Sequence, residues 1–299
     1  SEEHDIRILI TNLIEKGITV LHCIDPIDNW LQKHIEIAST TLKVNWLRSP
    51  LFMNRKEELS AFFKPTKKKF FQTAFYKAER KKHDILMVSG KPIGGQLTYD
   101  SDNRKKYPKD KTPPFIQFPD KSNYHKEAEE YVNLKFSNHY GALNEVVIYP
   151  IDFKTASDWL SQFFVKRFHE FGPYEDAIVK EEHFLNHSLL SPLINLVLLD
   201  PMEVIQMALK FAKDHDVPLN STSSFVLPLL GFREFIPFIY SAQGTTTRTK
   251  NFWKFNRKIP TSFYYITTLI KPIYYVITTF LKPCYAHPLS RLMILGNFM

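Results

Sequence analysis

The sequence predicts an α+β protein in which a partial α/β domain precedes a mostly α-helical domain. Helix and strand patterns alternate through residues 1–63, and this alternation favours parallel strands joined by helices. Residues 126–299 show helical periodicity interrupted by short loops that contain proline. We therefore assign residues 1–88 to the α/β part, the Gly-, Pro-, Lys- and Asp-rich residues 89–125 to an ordered linker, and the remainder to the helical domain.

The α/β part opens with an amphipathic helix followed by a strand. Apolar residues recur at helical spacing from Ile6 to Ile14, and Gly17 is placed to end the helix. The β-branched run at 18–24 predicts a buried strand. We interpret this order as the start of an α/β layer.

A second helix and strand follow, and then a basic helix. Asp25-Pro26 opens a helix over 28–39, and an extended run follows at 41–47. Residues 64–82 predict a basic helix with a solvated Lys/Arg face, and contact with a phosphate backbone is the alternative interpretation of that face. Its predicted apolar face consists of Phe70, Phe71, Ala74, Phe75 and Ala78.

The helical domain shows strong helical patterns at 129–140, 156–170 and 201–215. Residues 262–281 form an almost uncharged stretch of membrane-spanning length, with Lys271 and Pro272 at its centre. A central charge costs about 2.5–3.5 kcal/mol on insertion, so we predict a helix of the folded domain, kinked or interrupted at the proline, and no membrane partner. The tyrosines of this stretch are then expected mainly in the core. They are Tyr264, Tyr265, Tyr274 and Tyr275.

Composition limits the function classes. Cys23 and Cys284 are too few for a disulfide framework or a four-thiolate metal site, so we expect a reducing compartment, the cytoplasm. Acidic residues in the first helix argue against a signal peptide. The net charge of +8 and the pI near 9.2 favour an anionic partner but do not distinguish nucleic acid from a membrane surface. The chain begins without Met and ends in an apolar run, so we expect both ends to be truncations of a longer protein.

The common catalytic motifs are missing from the sequence. It contains no GxSxG elbow, no GxxxxGK[ST] phosphate loop and no GxGxxG turn. His183 and His187 have the zinc-binding i, i+4 spacing, but Phe184 replaces the glutamate of a zincin, so we predict no metal site. The glycines of GKPIGG fit either an anion-holding nest or a structural turn.

Four sequence blocks together carry a resemblance to a known family. They are GKPIGGQLTYDSDNRK (90–105), FGPYEDAIVKEEHFLNHSLLSPLINLVLLDP (171–201), LLGFREFIPFIY (229–240) and YAHPLSRLMILGNF (285–298). In this order they resemble the cryptochrome/photolyase superfamily, in the branch of deoxyribodipyrimidine photolyase-related proteins that includes bacterial 6-4 photolyases. The resemblance implies a Rossmann-like antenna domain, here partial, followed by a helical domain that holds FAD. It also implies an antenna chromophore of unassigned type.

The HSLLSP motif fits a site for the FAD diphosphate. Ser188 and Ser191 flank a helix start that has Pro192 at a plausible first position, which brings hydroxyls and free N–H groups together. The alternative is that the serines simply cap a structural helix. By resemblance, His187, Ser188, Leu189 and Ser191 contact the FAD phosphates. Tyr174, Asn195, Arg233 and Asn297 are further expected flavin contacts.

The resemblance also implies a lesion pocket and a reaction. Phe232 and Glu234 are expected to lie at this pocket, with Phe232 in place of the family's usual Trp. His287 is the expected catalytic acid on a 6-4 lesion. The implied activity is a DNA photolyase, a carbon–carbon lyase, in which light-driven electron transfer from reduced FAD repairs ultraviolet pyrimidine lesions that are flipped out of DNA. The expected partner is UV-damaged DNA, and we expect a monomer.

Two departures from the family pattern leave alternatives open. Pro288 replaces the second of two adjacent histidines, so acid catalysis depends on His287 alone. Pro272 stands at the position of the family's first cluster cysteine, so we expect no iron–sulfur cluster. The alternatives to repair are a blue-light flavin photoreceptor and a diverged remnant without activity.

Overall fold

The α+β fold class is confirmed, because helices predominate and the strands are few and short. The structure is a computed structural model that describes residues 4–59, 62–63, 67, 69–141, 143, 146–180, 182–281 and 285–298. The chain divides into two compact units. Unit 1 comprises Ser1–Ile85 and Leu227–Phe252, and unit 2 comprises Leu86–Val226 and Trp253–Met299. Residues 227–252 therefore belong with the α/β part, whereas the boundaries expected from the sequence place them in the helical domain.

Helices and short strands follow one another along the described chain. The helices are α1 (Ile6–Glu15), α2 (Asn29–Ala38), α3 (Lys56–Leu59), α4 (Gln72–Lys82), α5 (Asn123–Phe136), α6 (Phe153–Lys166), α7 (Phe171–Tyr174), α8 (Ser191–Asn195), α9 (Pro201–Asp214), α10 (Leu219–Leu227), α11 (Arg233–Thr249), α12 (Thr261–Tyr264) and α13 (Lys271–Leu281). The strands are β1 (Val20–Ile24), β2 (Lys43–Leu47), β3 (Met87–Val88) and β4 (Lys91–Pro92). Pro228–Phe232 and Ser290–Leu295 form π-helical turns.

Unit 1 contains the predicted helix–strand alternation. The Asp5 side chain caps α1 by accepting a hydrogen bond of 2.9 Å from the Arg7 N–H, and Gly17 ends the helix with φ +81°. Strands β1 and β2 pair in parallel. The predicted burial of the first strand is wrong, since Val20 is 40% and Ile24 51% exposed. A sheet of only two strands is too narrow for helices to cover both of its faces. Side chains of the first strand therefore stay in contact with water.

The predicted apolar face of the basic helix is confirmed at Phe75, which is fully buried, and at Phe70, which packs beside it, but it is wrong at Phe71 and the two alanines. Helix α4 buries Phe75, Tyr76, Glu79 and Arg80, while the two alanines of the predicted face are exposed. The cause is tertiary, because the turn Pro228–Phe232 packs against α4. A Cβ on Gly231 would meet Gln72 Nε2 at 2.6 Å, so a larger residue at this position would require the Gln72 side chain to move. Residues 64–66 and 68 lie outside the described residues.

Unit 2 is built around an aromatic core between its helices. The Phe225 ring of α10 lies 5.1 Å from Phe163 of α6, and Phe168, Phe171 and Phe164 complete the cluster. Helices α5, α6 and α9 confirm the three strong helical patterns, with ends shifted by a few residues. Helix α6 ends directly before Arg167, which brings this arginine beside residues 186–188.

The apolar stretch 262–281 is interrupted as predicted, because α12 ends at Tyr264 and α13 begins at Lys271. The predicted core position is wrong for three of its tyrosines, since Tyr264, Tyr265 and Tyr274 are exposed and α13 buries Ile273 and Val276 instead. One helical run in the described chain, Leu219–Thr249, is long and apolar enough to cross a membrane, and 39% of its most apolar window is buried. A single run of this kind is weak evidence for a membrane span, because the core helix of a soluble protein has the same length and composition.

Candidate functional site

Two predicted site residues that lie one hundred positions apart meet in unit 2. The Nε2 atoms of His187 and His287 are 2.9 Å apart, and the imidazole planes are perpendicular. Each Nε2 also lies 2.9 Å from the Glu175 carbonyl oxygen. The HSLLSP motif and the last of the four blocks therefore form one site.

A backbone hydrogen bond determines where the proton of His287 lies. The Nδ1 atom of His287 accepts a hydrogen bond of 3.2 Å from the Leu289 N–H, so neutral His287 carries its proton on Nε2. This N–H faces both the Glu175 carbonyl and His187 Nε2. The His187 Nε2 atom has two possible partners in this triangle: as an acceptor it pairs with the His287 N–H, and as a donor it pairs with the Glu175 carbonyl.

Burial keeps both imidazoles neutral at pH 7. The pKa of His187 is lowered to about 3, mainly by burial and secondly by His287. Burial also lowers the pKa of His287 below its ordinary value. Near neutral pH the site therefore holds two neutral imidazoles around the Glu175 carbonyl, and a charged imidazolium forms only at lower pH.

Arg167 and its neighbours hold the backbone that carries His187. The Arg167 Nη1 atom donates to the His187 carbonyl over 2.7 Å, and Trp159 Nε1 donates to the Ser188 carbonyl over 3.0 Å. Asn186 Nδ2 donates back to the Arg167 carbonyl over 3.4 Å. Three hydrogen bonds that involve Trp159 within α6 and Arg167 directly after it thus connect this helix to residues 186–188.

The Arg167 guanidinium itself is incompletely satisfied. It is 1% exposed and lies over the rings of Trp159 and Phe163, with its carbon 5.6 and 5.5 Å from their centroids. Among the described residues, its Nε and Nη2 atoms have no hydrogen-bond partner. Burial lowers the pKa of Arg167 to about 10, so it stays charged at pH 7. A buried cation without a carboxylate needs an anion to offset its desolvation.

The remaining predicted residues of unit 2 are more scattered. Tyr174 ends α7 and packs edge-to-face on Tyr107 at 5.0 Å. Leu189 is buried in the left-handed region with φ +59°. Ser191 and Asn195 begin and end the five-residue helix α8, and both are exposed. The exposed Asn297 amide donates to the Met293 carbonyl.

The alternative in which the serines cap this helix is wrong. The N-cap position of α8 is Leu190, which already has helical backbone angles, and no side chain caps the helix. Pro192 is the second helical residue rather than the first. Ser188 contributes its carbonyl, as the acceptor for Trp159.

The predicted lesion-pocket residues Phe232 and Glu234 and the predicted flavin contact Arg233 belong to unit 1, where Glu234 and Arg233 hold residues 51–54. The Glu234 carboxylate is fully buried and accepts hydrogen bonds from the Met53 N–H (3.0 Å), the Asn54 N–H (3.0 Å) and Asn54 Nδ2 (2.8 Å). Burial raises the pKa of Glu234. Arg233 Nε donates to the Leu51 carbonyl over 3.2 Å, and Phe232 is half exposed.

Sequence reasoning missed Arg167 and Trp159. Trp159 lies within the amphipathic helix α6, and Arg167 is the residue directly after it. Neither a tryptophan in such a helix nor a basic residue at its end predicts a functional site from the sequence. No group of three or more His, Cys, Asp or Glu side chains in the described part of the chain could hold a metal ion. Cys284 lies outside the described residues.

Comparison with known proteins identifies the family. The sequence model for the deoxyribodipyrimidine photo-lyase-related protein family matches residues 2–147. A (6-4) photolyase of Agrobacterium fabrum is 33% identical over 228 residues, which cover 75% of this chain and 44% of the relative. The chain belongs to the photolyase-related family.

A second relative is an uncharacterized protein of Acanthamoeba polyphaga mimivirus. It is 40% identical over 97 residues, which cover 31% of this chain and 50% of the relative. The chain thus spans about half the length of the curated relatives that it matches.

Proposed function

We propose that this protein is a photolyase-like flavoprotein that binds FAD in unit 2 and uses light to repair 6-4 pyrimidine lesions in DNA. The observation that carries the proposal is the pairing of His187 and His287, which come from two of the blocks that resemble the family. The similarity to a protein named (6-4) photolyase supports the same class.

The residues beside the histidine pair fit an anionic cofactor. Arg167 supplies a buried positive charge with two N–H directions unsatisfied in the described chain, and a diphosphate offers the charge and the acceptors that it needs. In this proposal Arg167 and the predicted residues His187, Ser188, Leu189 and Ser191 hold the diphosphate. Tyr174, Asn195 and Asn297 are proposed neighbours of the flavin. Arg233 is proposed as a further flavin contact, and Phe232 and Glu234 are proposed to lie at the lesion pocket.

The chain's own residues then orient the site and hold a proton. Reduced FAD, when bound, supplies the electron on absorbing blue light. His287 directs its Nε2–H towards His187 and Glu175, and in its protonated imidazolium form it would give one proton to the lesion and return to the neutral imidazole. Because burial lowers the pKa of His287, we expect proton donation to strengthen as the pH falls below 7. UV-damaged DNA is the proposed substrate, and the protein is proposed to be cytoplasmic and monomeric.

The test begins with the visible spectrum of the purified full-length protein. We expect the absorption bands of oxidised flavin, and their absence after incubation with FAD would contradict the proposal. The reduced protein is then illuminated with an oligonucleotide that carries a 6-4 lesion. Restored bases are expected in the light and not in the dark, and bound flavin without restoration would remove the repair step alone.

A second candidate function is a blue-light flavin photoreceptor that repairs nothing. Pro288, beside His287, has no N–H to donate and no ring atom to move a proton, and this favours the second candidate. The variant Pro288→His separates the two functions. Repair that appears only in the variant would assign the natural chain to the photoreceptor class.

The other cofactor proposals follow the sequence. We propose no iron–sulfur cluster, since Pro272, in the first turn of α13, has no group that can ligate iron. An antenna chromophore of unassigned type stays part of the proposal for the α/β unit. Iron and acid-labile sulfide analysis of the purified protein tests the first statement, and stoichiometric iron would contradict it.

A further inference from the structure

The positive charge of the chain is concentrated in its last residues. No Asp or Glu follows Glu234, whereas eight Lys and Arg side chains do. These eight account for the whole net charge of +8, because 31 basic and 31 acidic residues cancel up to Glu234. An anionic partner is therefore attracted towards this part of the sequence.

Within unit 2, one exposed segment combines this charge with aromatic rings. We call Trp253–Lys258 the basic aromatic segment. Trp253 is 70% and Phe255 61% exposed, and their rings are nearly parallel, with an interplanar angle of 17° and centroids 6.3 Å apart. The segment is neither helix nor strand and every residue of it is exposed.

The cations of the segment have an open cleft beside them. Lys254, Arg257 and Lys258 line a cleft of about 410 Å³ together with Asn297 and Phe298. In the part of the chain that the structure describes, none of the three forms an ion pair with a carboxylate. Their charge is thus available to an external anion.

The combination of cations and exposed rings decides which anion fits. An acidic protein surface would use the three cations but leave two large rings in water. A DNA duplex offers phosphates, but its bases are stacked on each other and present no face to a ring. A single strand offers both, since phosphates pair with Lys and Arg while bases stack on Trp and Phe.

We propose that the basic aromatic segment binds a single-stranded stretch of DNA, with phosphates on its three cations and bases on Trp253 and Phe255. The single strand follows from the rings and charges of the segment. The choice of DNA rests on the proposed function.

The first test measures how the full-length protein binds a fluorescently labelled, undamaged oligo(dT), in the dark. The variant with Lys254→Gln, Arg257→Gln and Lys258→Gln should lower the slope of log affinity against log salt by about 2, because each phosphate contact on a single strand contributes about 0.7. The control carries Lys126→Gln, Lys154→Gln and Lys210→Gln, which are exposed lysines on helices of the same unit. An equal change in slope for both triple variants would overturn the proposal.

The second test addresses stacking. Trp253→Ala and Phe255→Ala should each weaken binding by about 5- to 100-fold. Trp253→Phe should retain binding while losing most of the tryptophan quenching that the strand causes in the wild type. Ring variants that bind like the wild type, or a duplex that binds as tightly as the single strand, would reduce the contact to charge alone and contradict the proposal.

The flavin spectrum of the same preparation keeps the two proposals distinguishable. A protein with bound flavin that fails to bind oligo(dT) overturns the strand site and leaves the flavin proposal intact. A protein that binds the strand without flavin contradicts the proposed function and not the strand site.

Discussion

The two units both bury charged side chains, but they satisfy them differently. In unit 1 the Glu234 carboxylate has three N–H donors within the unit, and the buried Arg80 donates to the Ile85 carbonyl over 3.2 Å. In unit 2, Arg167 is equally buried, yet two of its nitrogens lack partners in the described chain. A buried charge whose hydrogen bonds are complete indicates structure, whereas one with open hydrogen-bond directions indicates a binding site.

The largest effect on stability is expected at Glu234, the buried charge whose hydrogen bonds are complete. Glu234→Ala leaves three buried donors of Met53 and Asn54 without an acceptor, so the free energy of unfolding should fall by about 3 kcal/mol or more. Urea unfolding followed by tryptophan fluorescence measures this change. The exposed Glu127→Ala is the matched control, and a loss below about 1 kcal/mol for Glu234→Ala would contradict the structural role.

A second effect depends on pH and belongs to unit 2. The pKa of His187 is lowered to about 3 in the folded protein, so between pH 6.5 and 3 the unfolded chain binds more protons and stability falls as the pH falls. Between pH 7 and pH 5 the loss from this residue should be about 2 kcal/mol. His187→Gln should remove it, while the exposed His139→Gln should not. Equal pH slopes in wild type and His187→Gln would be the contrary result.

Arg167→Met is expected to separate stability from binding. The free energy of unfolding without flavin should change by less than about 1 kcal/mol, because an apolar side chain of similar volume removes a costly buried charge. The dissociation constant for FAD should rise at least tenfold, since the diphosphate loses a charged partner. Arg80→Met is the matched change in unit 1. It should lower the free energy of unfolding, while the folded variant keeps the wild-type dissociation constant for FAD. Loss of stability in Arg167→Met together with loss of FAD affinity in Arg80→Met would contradict the comparison between the two units.

The smallest effect concerns the support of the HSLLSP motif. Trp159→Phe removes the N–H donated to the Ser188 carbonyl and should lower the free energy of unfolding by about 1 kcal/mol. The exposed Trp30→Phe serves as control in the same urea unfolding measurement. A loss no larger than that of the control would show that the hydrogen bond contributes nothing measurable.

Local signals predicted much of the fold. Helix α1 could be predicted because its cap at Asp5 and its end at Gly17 are properties of neighbouring residues. The full buried face of α4 could not, because Pro228–Phe232, more than 140 positions away, decides which side is covered. Tertiary contact overrides local pattern in such cases.

The candidate site was predicted through its motifs rather than through its geometry. Resemblance named His187 and His287 separately, but their contact across one hundred positions has no local signal. Arg167 had no signal either, because its burial and its open hydrogen-bond directions arise only when α6 packs against residues 186–188. Glu234 shows the reverse case, in which a residue named by resemblance is held by structural hydrogen bonds within unit 1.

The most direct measurement is a titration of the full-length protein with FAD in the dark, followed by visible absorption. We expect saturable binding with flavin bands shifted from those of free FAD, and a changed shift in His287→Gln, because one imidazole of the histidine pair is lost. A wild-type titration that returns the spectrum of free FAD at every concentration would contradict the flavin site at His187 and His287.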